Sequence, residues 1–237
     1  DAIHHDEIPP SGGTLGKLMV ILYAGQVSGD FYSNIIRDPG NPGTSLLWIS
    51  GSNVNNPQIN IYNNLIYGAT NSSIYIGYDQ STPVNIYNNS IYANGASSVI
   101  LNRAGVYPYR VVNNIFYQNG TGRIFETLWG TTLPEHSYNV LYAPRGSIGI
   151  SSDSSEINAD PQWQAIPSGV YTLATMALTS NSPAINTGTN LSTFFTSSFN
   201  NISRPQGAGW DIGVYEYVGA PPPDTTPPAA PTGLTVI

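Results

Sequence analysis

Tyrosine is the residue whose spacing first suggests chemistry in this chain of 237 residues. One column of tyrosines recurs at a constant step of 25 residues, and a second, shorter column accompanies it. The members of the two columns are Tyr67, Tyr92, Tyr117 and Tyr142, and then Tyr62 and Tyr87. Flat aromatic rows on a rigid sheet suit stacking on sugar rings, while neighbouring Asn and Ser side chains supply hydrogen bonds. These six tyrosines are the predicted substrate-binding residues, with a polysaccharide as the partner.

The same columns allow a purely structural interpretation. Aligned side chains on successive repeats of a solenoid also stabilise the edges of the repeats without touching any ligand. Both interpretations remain open at this point. A polysaccharide platform requires rings that face solvent, whereas a structural ladder does not.

A few charged residues could carry catalysis on the same repeats. An enzyme that eliminates across an acidic polysaccharide needs a base, a group that neutralises the sugar carboxylate, and a proton donor. The weak catalytic candidates are Arg103, Arg123, Glu126 and Asp79. Glu126 falls in the slot held by Ile76 and Leu101, where the pattern expects an apolar residue; pairing with Arg123 or an outward position at a bulge is favoured over an inward carboxylate. No cofactor is predicted, apart from Ca²⁺ held by carboxylates if the chain is a lyase.

Histidines offer little for metal chemistry. The string "IHHDE" places His4 and His5 next to each other, and on a strand such neighbours point to opposite faces. No metal site is therefore predicted. His136 falls in the slot of Ile61, Ile86 and Val111, which predicts a hydrogen-bonded histidine in the core.

The elements that must position these residues follow from the repeat itself. Asn64, Asn89, Asn114 and Asn139 share the step of 25 residues, and a longer step leads back to Asn34. Each repeat cannot bury its apolar face alone and must stack on its neighbours. Alternating apolar residues predict short strands, and the Asn-Asn pairs predict turns with left-handed backbone angles. Three strands per coil, stacked in parallel, predict an all-β fold: a right-handed parallel β-helix over residues 1–145.

Side-chain alternation within the coils predicts which residues face inward and which face out. The inward set comprises Ile66, Ile91, Phe116 and Leu141. A further outward column, comprising Tyr75, Ile100 and Phe125, is apolar enough that we expect the segment after residue 145 to pack over it.

Composition restricts the partners. Charged residues make up 9% of the chain and the net charge is −7, with Lys17 the one lysine among seven basic residues. No basic stripe could neutralise a phosphate backbone, so nucleic acid is not a predicted partner. No apolar stretch approaches the length of a membrane-spanning helix, and cysteines are absent. Low charge with abundant Asn and Tyr is typical of a secreted or cell-surface protein, which is the predicted location.

The second half of the chain carries a run of motifs in a fixed order. These are "ADPQW" (159–163), "YTLATMALTSNSPAINTG" (171–188), "RPQG" (204–207) and "WDIGVYEY" (210–217). The run resembles the closing segment of right-handed β-helix proteins of the pectate-lyase-like superfamily, the type called choice-of-anchor Q. The resemblance covers about residues 59–217, and it departs at Asn186 and at Asn200 or Asn201, where an Asp is usual. It implies a capping segment over residues 146–217.

The remaining residues predict a junction to another module. Residues 218–230 are proline-rich, as in a semi-rigid linker. Residues 231–237 resemble the first strand of a fibronectin type III module. Three functions are compatible with the whole pattern: a module that engages polysaccharide, a polysaccharide lyase or other glycan-active enzyme of the pectate-lyase-like group, or a structural subunit of a surface filament or adhesin. The last would assemble through the N-terminal end of the helix, where no cap is evident.

Overall fold

The fold is seen in a computed structural model, which describes ten stretches of the chain. They are residues 20–23, 29–37, 45–50, 58–77, 83–95, 97–102, 109–128, 135–168, 171–172 and 174–219. The predicted linker and fibronectin-like strand lie outside the described residues, except for Val218 and Gly219 at the start of the linker. The N-terminal "IHHDE" string and the catalytic candidates Asp79 and Arg103 also lie outside them.

The described residues form short strands and no helix. In chain order the strands are β1 (Val20–Tyr23), β2 (Gly29–Tyr32), β3 (Ile35–Arg37), β4 (Ser45–Ser50), β5 (Ile59–Tyr62), β6 (Leu65–Tyr67), β7 (Ser72–Ile76), β8 (Val84–Tyr87), β9 (Ser90–Ala93), β10 (Ser97–Asn102), β11 (Tyr109–Val112), β12 (Ile115–Gln118), β13 (Arg123–Leu128), β14 (Glu135–Ser137) and β15 (Val140–Tyr142). They are rich in Ile, Val and Tyr, which favour the pleated conformation. Within the described part of the chain, therefore, no helix could cross a membrane.

The strands form three sheets in which every neighbouring pair is parallel. Sheet A has the order β1-β4-β7-β10-β13, sheet B the order β14-β11-β8-β5-β2, and sheet C the order β15-β12-β9-β6-β3. The chain visits sheet B, then C, then A, and returns to B one strand further along. This arrangement is that of a parallel β-solenoid and confirms the predicted all-β class. The 25-residue repeat sets the register between neighbouring strands, since Ile61 pairs with Ile86 and Ile86 pairs with Val111.

The interior is a single apolar column enclosed by the three sheets. Sheet C contributes Ile36, Ile66, Ile91, Phe116 and Leu141, which are at most 4% exposed. This confirms the inward set predicted from the sequence. Sheet B contributes Phe31, Ile61, Ile86 and Val111, and sheet A contributes Leu47, Ile74, Val99 and Phe125.

One predicted register is wrong by a residue. Glu126 pairs with Ile100 and not with Leu101, while Phe125 pairs with Val99 and packs inside against Phe116. The slot predicted for Glu126 and the outward position predicted for Phe125 are therefore wrong, whereas an outward Glu126, the favoured alternative, is confirmed. The cause is one additional residue between β12 and β13, which makes the step from Ser97 to its partner in β13 one longer than the step of 25.

The asparagine at the second position of each turn forms a buried ladder along the solenoid. From Asn34 to Asn114, each side chain donates through Nδ2 to the Oδ1 of the asparagine in the coil after it, at 3.0 to 3.1 Å. The members, Asn34, Asn64, Asn89, Asn114 and Asn139, are at most 3% exposed. The same amides also satisfy backbone carbonyls inside the turn, as when Asn89 Nδ2 donates to Ile61 O at 2.9 Å. The ladder confirms that Asn makes hydrogen bonds along the stack.

The first Asn of each pair has a different role. Asn63, Asn88 and Asn113 have φ of 53°, 46° and 59°, in the left-handed region that Asn tolerates better than most side chains. Ser33 and Tyr138 occupy the equivalent positions in the outer described coils, with φ of 54° and 53°. The sequence therefore predicts these turns correctly, including their left-handed angles.

Residues 146–157, here called the closing turn, cover the C-terminal end of the solenoid. Ser147 bridges to Arg123 and Ile157 bridges to Val140, so the closing turn adds a partial strand to sheets A and C. Glu156 ends the asparagine ladder, because its Oε1 accepts from Asn139 Nδ2 at 2.8 Å. The same Oε1 lies 3.0 Å from His136 Nδ1. His136 pairs with Val111 in the strand register, which confirms the predicted slot, and Glu156 is its hydrogen-bond partner.

Residues 158–217, here called the strap, fold back along the outside of sheets B and C. The outward amides hold it: Asn63 Nδ2 donates to Ser197 O at 2.8 Å, and Asn113 Nδ2 to Thr189 O at 2.8 Å. Asn88 Nδ2 donates to the carbonyls of Asp211 and Gly213, at 3.0 and 2.9 Å. The two apolar clusters that the strap forms take their described solenoid residues from sheets B and C; the expectation that this segment covers the column of Tyr75 stays a prediction.

A buried charge cluster fixes the shape of the strap. Arg204 and Glu216 form an ion pair at 2.7 Å with both side chains fully buried, and Arg204 also donates to the carbonyls of Asp211 and Gly213. The Asp211 carboxylate accepts from the backbone N–H groups of Asn186 and Tyr217. Asn186, one of the departures from the resembled pattern, has φ of 58° and accepts from the N–H of Gly209 at 2.9 Å. The motif run thus builds a folded strap.

Candidate functional site

Four of the six predicted binding tyrosines are buried under the strap. Tyr67 and Tyr92, in the longer column, are 3% and 8% exposed, and Tyr62 and Tyr87, in the shorter one, are 9% and 0% exposed. Burial raises the pKa of Tyr62 to about 12, helped by the nearby charge of Asp30. The expectation that these four rings face solvent is therefore wrong, because the strap packs on them.

The faces of the shorter column are also occupied. Tyr62 stacks between Tyr32 and Phe195, with centroids 4.8 and 4.6 Å away and planes within 5° of parallel. Phe194 lies over Tyr87 with centroids 5.0 Å apart. A ring whose two faces are used by protein neighbours offers no face to a sugar. This column is a structural ladder, which was the alternative interpretation.

The C-terminal half of the longer column is different. Tyr117 and Tyr142 remain half-buried, and their rings meet at 71° with centroids 4.8 Å apart. Trp163 of the strap lies against Tyr117 at 5.7 Å, and Tyr92 meets Tyr117 edge-on at 5.1 Å and 74°. Among the described residues, neither Tyr117 nor Tyr142 is held between two parallel rings, as Tyr62 is. We call this group, with the polar residues described next, the Tyr117 site.

A polar column borders the Tyr117 site along the corner between sheets C and A. Asn119 follows Tyr117 by two residues, just past the end of β12 at Gln118. Its Nδ2 donates to Asn94 Oδ1 at 2.9 Å, and its Oδ1 accepts from Arg145 at 3.0 Å. Asn94 and Arg145 are exposed, so amide and guanidinium groups lie in solvent beside the rings.

Two opposite charges act on the Tyr117 hydroxyl. Burial raises the pKa of Tyr117, the carboxylate of Asp160 raises it further, and the Arg145 guanidinium lowers it. Arg145 also opposes the effect of burial on the pKa of Tyr92. Asp160 is exposed, and its Oδ1 accepts from the N–H of Gln162 at 2.8 Å, which orients the carboxylate at the start of the strap. The site therefore combines aromatic rings, amides, one cation and one anion.

The catalytic candidates do not meet in this site. Glu126 is half-buried on the outside of sheet A, where its Oε2 accepts from Ser97 Oγ at 2.6 Å. Arg123 begins the same strand and lines a shallow depression of about 580 Å³ with residues 147–151. Across sheet A the strand register aligns four residues in one row: Trp48, Tyr75, Ile100 and Glu126. The ring centroids of Trp48 and Tyr75 are 4.4 Å apart. The remaining candidates lie outside the described residues, so the described strands of sheet A offer one carboxylate, Glu126, and one cation, Arg123.

Sequence reasoning missed the partners that complete the Tyr117 site. Asn119 follows Tyr117 by two residues, a spacing that on a strand predicts a shared side, whereas Arg145 follows Tyr142 by three residues, beyond the end of β15, and carried no such signal. Trp163 and Asp160 carried no such signal, since they belong to the "ADPQW" string of the strap and reach the site through the tertiary fold. Nε1 of Trp163 is buried and has no hydrogen-bond partner in the described part of the chain.

Metal-ligating residues do not cluster in the described stretches, where no group of three or more His, Cys, Asp or Glu side chains could hold an ion. No model of a protein family matches the chain, and neither a curated protein nor a solved structure does.

Proposed function

We propose that this chain is a polysaccharide-binding module of a secreted or cell-surface protein and that it binds its ligand at the Tyr117 site. The observation that carries the proposal is the contrast within one tyrosine column. The strap buries Tyr67 and Tyr92 but leaves Tyr117 and Tyr142 half-exposed beside an exposed amide and guanidinium column. Aromatic rings supply the apolar contact that a sugar face requires, and the amides bond its hydroxyls.

The proposal includes a finer assignment of the fold. The three parallel sheets, the 25-residue register and the motif run from "ADPQW" to "WDIGVYEY" support a right-handed parallel β-helix of the pectate-lyase-like superfamily, with a closing segment of the choice-of-anchor Q type. The handedness follows from the strong preference of parallel crossovers for right-handed connections. A linker and a fibronectin type III module after residue 217 complete the proposed modular protein.

The test is retention on immobilised polysaccharides. The protein is passed over a panel of neutral and acidic polymers, and dissociation constants are measured for those that retain it. Tyr142→Ala removes a half-buried ring at the end of the site, and we expect about tenfold weaker binding, since one stacked ring contributes about 1 kcal/mol or more. Tyr138→Ala is the matched control, because Tyr138 is 37% exposed and lies outside the site.

Two outcomes would reject the proposal. One is the absence of retention on every polymer of the panel while the protein is folded. The other is equal binding by the wild type and the Tyr142→Ala variant, which would place any ligand elsewhere on the surface. Unfolding temperatures of both variants, measured in the same buffer, show whether a loss of binding reflects a loss of fold.

A second candidate function, cleavage of a polysaccharide, is favoured by the row on sheet A. The half-buried carboxylate of Glu126 lies on the outside of sheet A in one row with the rings of Trp48 and Tyr75, separated from Tyr75 by the strand of Ile100. General acid–base catalysis on a sugar bound along this row could use such a carboxylate. Chain length and the ultraviolet absorbance of unsaturated products are followed during incubation with each polymer. Cleavage that is abolished in Glu126→Gln and retained in Glu135→Gln would establish an enzyme; intact polymers would leave binding as the function.

A further inference from the structure

Two Asn-Gly dipeptides occupy equivalent positions in successive coils, directly after the ends of β9 and β12. They are Asn94-Gly95 and Asn119-Gly120, one step of 25 residues apart. Each glycine packs closely on the coil before it. A Cβ at Gly95 would lie 2.6 Å from the carbonyl carbon of Thr70, and a Cβ at Gly120 would lie 2.6 Å from Asn94 O. Glycine is therefore required at both positions, and its lack of a side chain leaves the backbone nitrogen after each Asn sterically unhindered.

Hydrogen bonds restrain the second dipeptide. The Asn119 side chain is bonded at both ends, since its Nδ2 donates to Asn94 Oδ1 at 2.9 Å and its Oδ1 accepts from Arg145 at 3.0 Å. The N–H of Gly120 donates to Gln118 Oε1 at 3.0 Å. A reaction between the Gly120 nitrogen and the Asn119 side chain would therefore have to break three hydrogen bonds.

The equivalent groups of the first dipeptide are not restrained in this way. Asn94 is exposed, and in the described part of the chain neither its Nδ2 nor the N–H of Gly95 has a hydrogen-bond partner. The hydrogen bond that the Asn94 side chain does make comes from Asn119 Nδ2 and lies on Oδ1. That oxygen gains negative charge when a nucleophile attacks Cγ, and a donor placed there stabilises the transition state.

We propose that Asn94 is a site of self-modification, at which the folded protein deamidates by intramolecular attack. A base in the solvent takes the N–H proton of Gly95, and the nitrogen then bonds to Asn94 Cγ. The bond from Cγ to Nδ2 breaks, and the leaving nitrogen takes up a proton and departs as ammonia, which closes a succinimide ring. Water opens the ring at either of its carbonyls, giving aspartate or isoaspartate. The net reaction consumes one water and releases one ammonia.

The two products have different consequences for the coil. Aspartate keeps the length of the backbone and an oxygen that accepts from Asn119 Nδ2. Isoaspartate inserts one carbon into the backbone before Gly95, where the Thr70 backbone leaves no space even for a Cβ. Either product adds a negative charge to the polar column beside the Tyr117 site. The modification does not depend on whether that site binds a polysaccharide.

The experiment follows both dipeptides in the full chain. The protein is incubated at mildly alkaline pH, folded and in urea, and digested peptides are resolved by mass spectrometry, in which replacement of NH2 by OH identifies the product. Similar rates at the two sites are expected in urea. In the folded protein we expect Asn94 to react about tenfold faster than Asn119 or more, since three hydrogen bonds hold the latter. Equal rates in the folded protein, or a faster reaction at Asn119, would overturn the proposal.

The variant Asn119→Asp tests the assistance by the neighbouring amide. It keeps the size of the side chain and the acceptor for Arg145, but it removes the donor to Asn94 Oδ1. We expect deamidation at Asn94 to be about threefold slower or more. Asn190→Asp is the matched control, because it makes the same change of charge at an exposed residue of the strap and should leave the rate unchanged. Unfolding temperatures establish that both variants are folded, and an unchanged or faster reaction in Asn119→Asp would contradict the mechanism.

Discussion

Asn88 and Asn89 are adjacent in the chain, and their side chains form hydrogen bonds on opposite sides of the solenoid wall. The Asn88 amide points outward and donates to the strap carbonyls of Asp211 and Gly213. The Asn89 amide points inward, where it links Asn64 to Asn114. The left-handed φ of 46° at Asn88 separates the two directions. The Asn-Asn pair is therefore one turn with two functions, holding the coils together inside and holding the strap outside.

Removing an asparagine from the middle of the buried ladder should cost more than removing the one at its N-terminal end. In Asn89→Ala, Ile61 O, Tyr87 O and the backbone N–H of Asn64 lose their side-chain partner in a buried turn. Because each buried group left unsatisfied costs about 1–3 kcal/mol, we expect the free energy of unfolding to fall by about 3 kcal/mol or more. Urea unfolding followed by circular dichroism measures it.

The control for this prediction is Asn34→Ala. The Oδ1 of Asn34 is buried without a hydrogen-bond partner among the described residues, so fewer bonds are lost there. A loss at Asn34 as large as at Asn89 would contradict the account of the ladder.

Replacing Tyr138 by Asn should stabilise the protein. Tyr138 has φ of 53° at the position that Asn holds in the three coils before it, and its side chain is 37% exposed. A left-handed angle costs a residue other than Gly or Asn about 1 kcal/mol, so we expect a gain of about 0.5–1 kcal/mol. Thermal unfolding checks the sign, and Tyr138→Phe, which keeps the strain, should show no gain. A fall in stability for Tyr138→Asn would mean that the ring makes contacts worth more than the strain.

Breaking the buried ion pair of the strap should be strongly destabilising. Arg204→Met leaves the Glu216 and Asp211 carboxylates buried without their cation, and burial already raises the pKa of both. The expected loss is about 3–5 kcal/mol in the free energy of unfolding. Arg110→Met is the control, since the pair of Arg110 with Glu135 is largely exposed and should contribute less than about 1 kcal/mol. Similar losses in the two variants would show that burial does not set the energy of the pair.

Acid should strengthen the closing turn through His136. Its hydrogen bond to Glu156, with a smaller effect of the charge of Asp153, raises the pKa of His136 in the folded protein against desolvation. The folded state therefore binds the proton more tightly. The resulting stability is complete below the unfolded pKa of about 6.5 and is lost as pH rises through the higher folded pKa.

The measurement is the unfolding temperature of the wild type and of His136→Gln between pH 5.5 and pH 9. Glutamine can still donate to Glu156 but does not titrate. We expect the wild type to lose stability relative to the variant as pH rises across the range above about 6.5. A constant difference between the two proteins over this range would show that the His136 proton contributes nothing.

The fold was predictable because the 25-residue repeat is visible in the sequence. The step of 25 residues placed Ile66, Ile91 and Phe116 in one inward column, and the Asn-Asn pairs marked the turns. The slot of His136 followed from the same step. A single additional residue before β13 was enough to misplace Glu126 and Phe125, because a shift of one residue in a strand moves each side chain to the other face.

The candidate site was only half predictable. Tyr117 and Tyr142 were identified from their spacing, but so were four tyrosines that the strap buries. The strap lacks a repeat, so no periodicity shows where its apolar residues Leu191 and Phe195 pack. Which part of a column stays exposed depends on the tertiary path of a segment without regular strands.

The strap also determines where this architecture can change in length. It holds the three consecutive coils that carry Asn63, Asn88 and Asn113. A coil duplicated between Asn63 and Asn113 would keep the inner ladder intact but would move Ser197 about 4.8 Å, one strand spacing, away from Asn63. A coil duplicated before Asn63 would leave every strap contact in place. Gene duplication can therefore add coils without loss of strap contacts only on the N-terminal side of Asn63. Homologous proteins of different length should differ in the number of coils that precede the first strap contact.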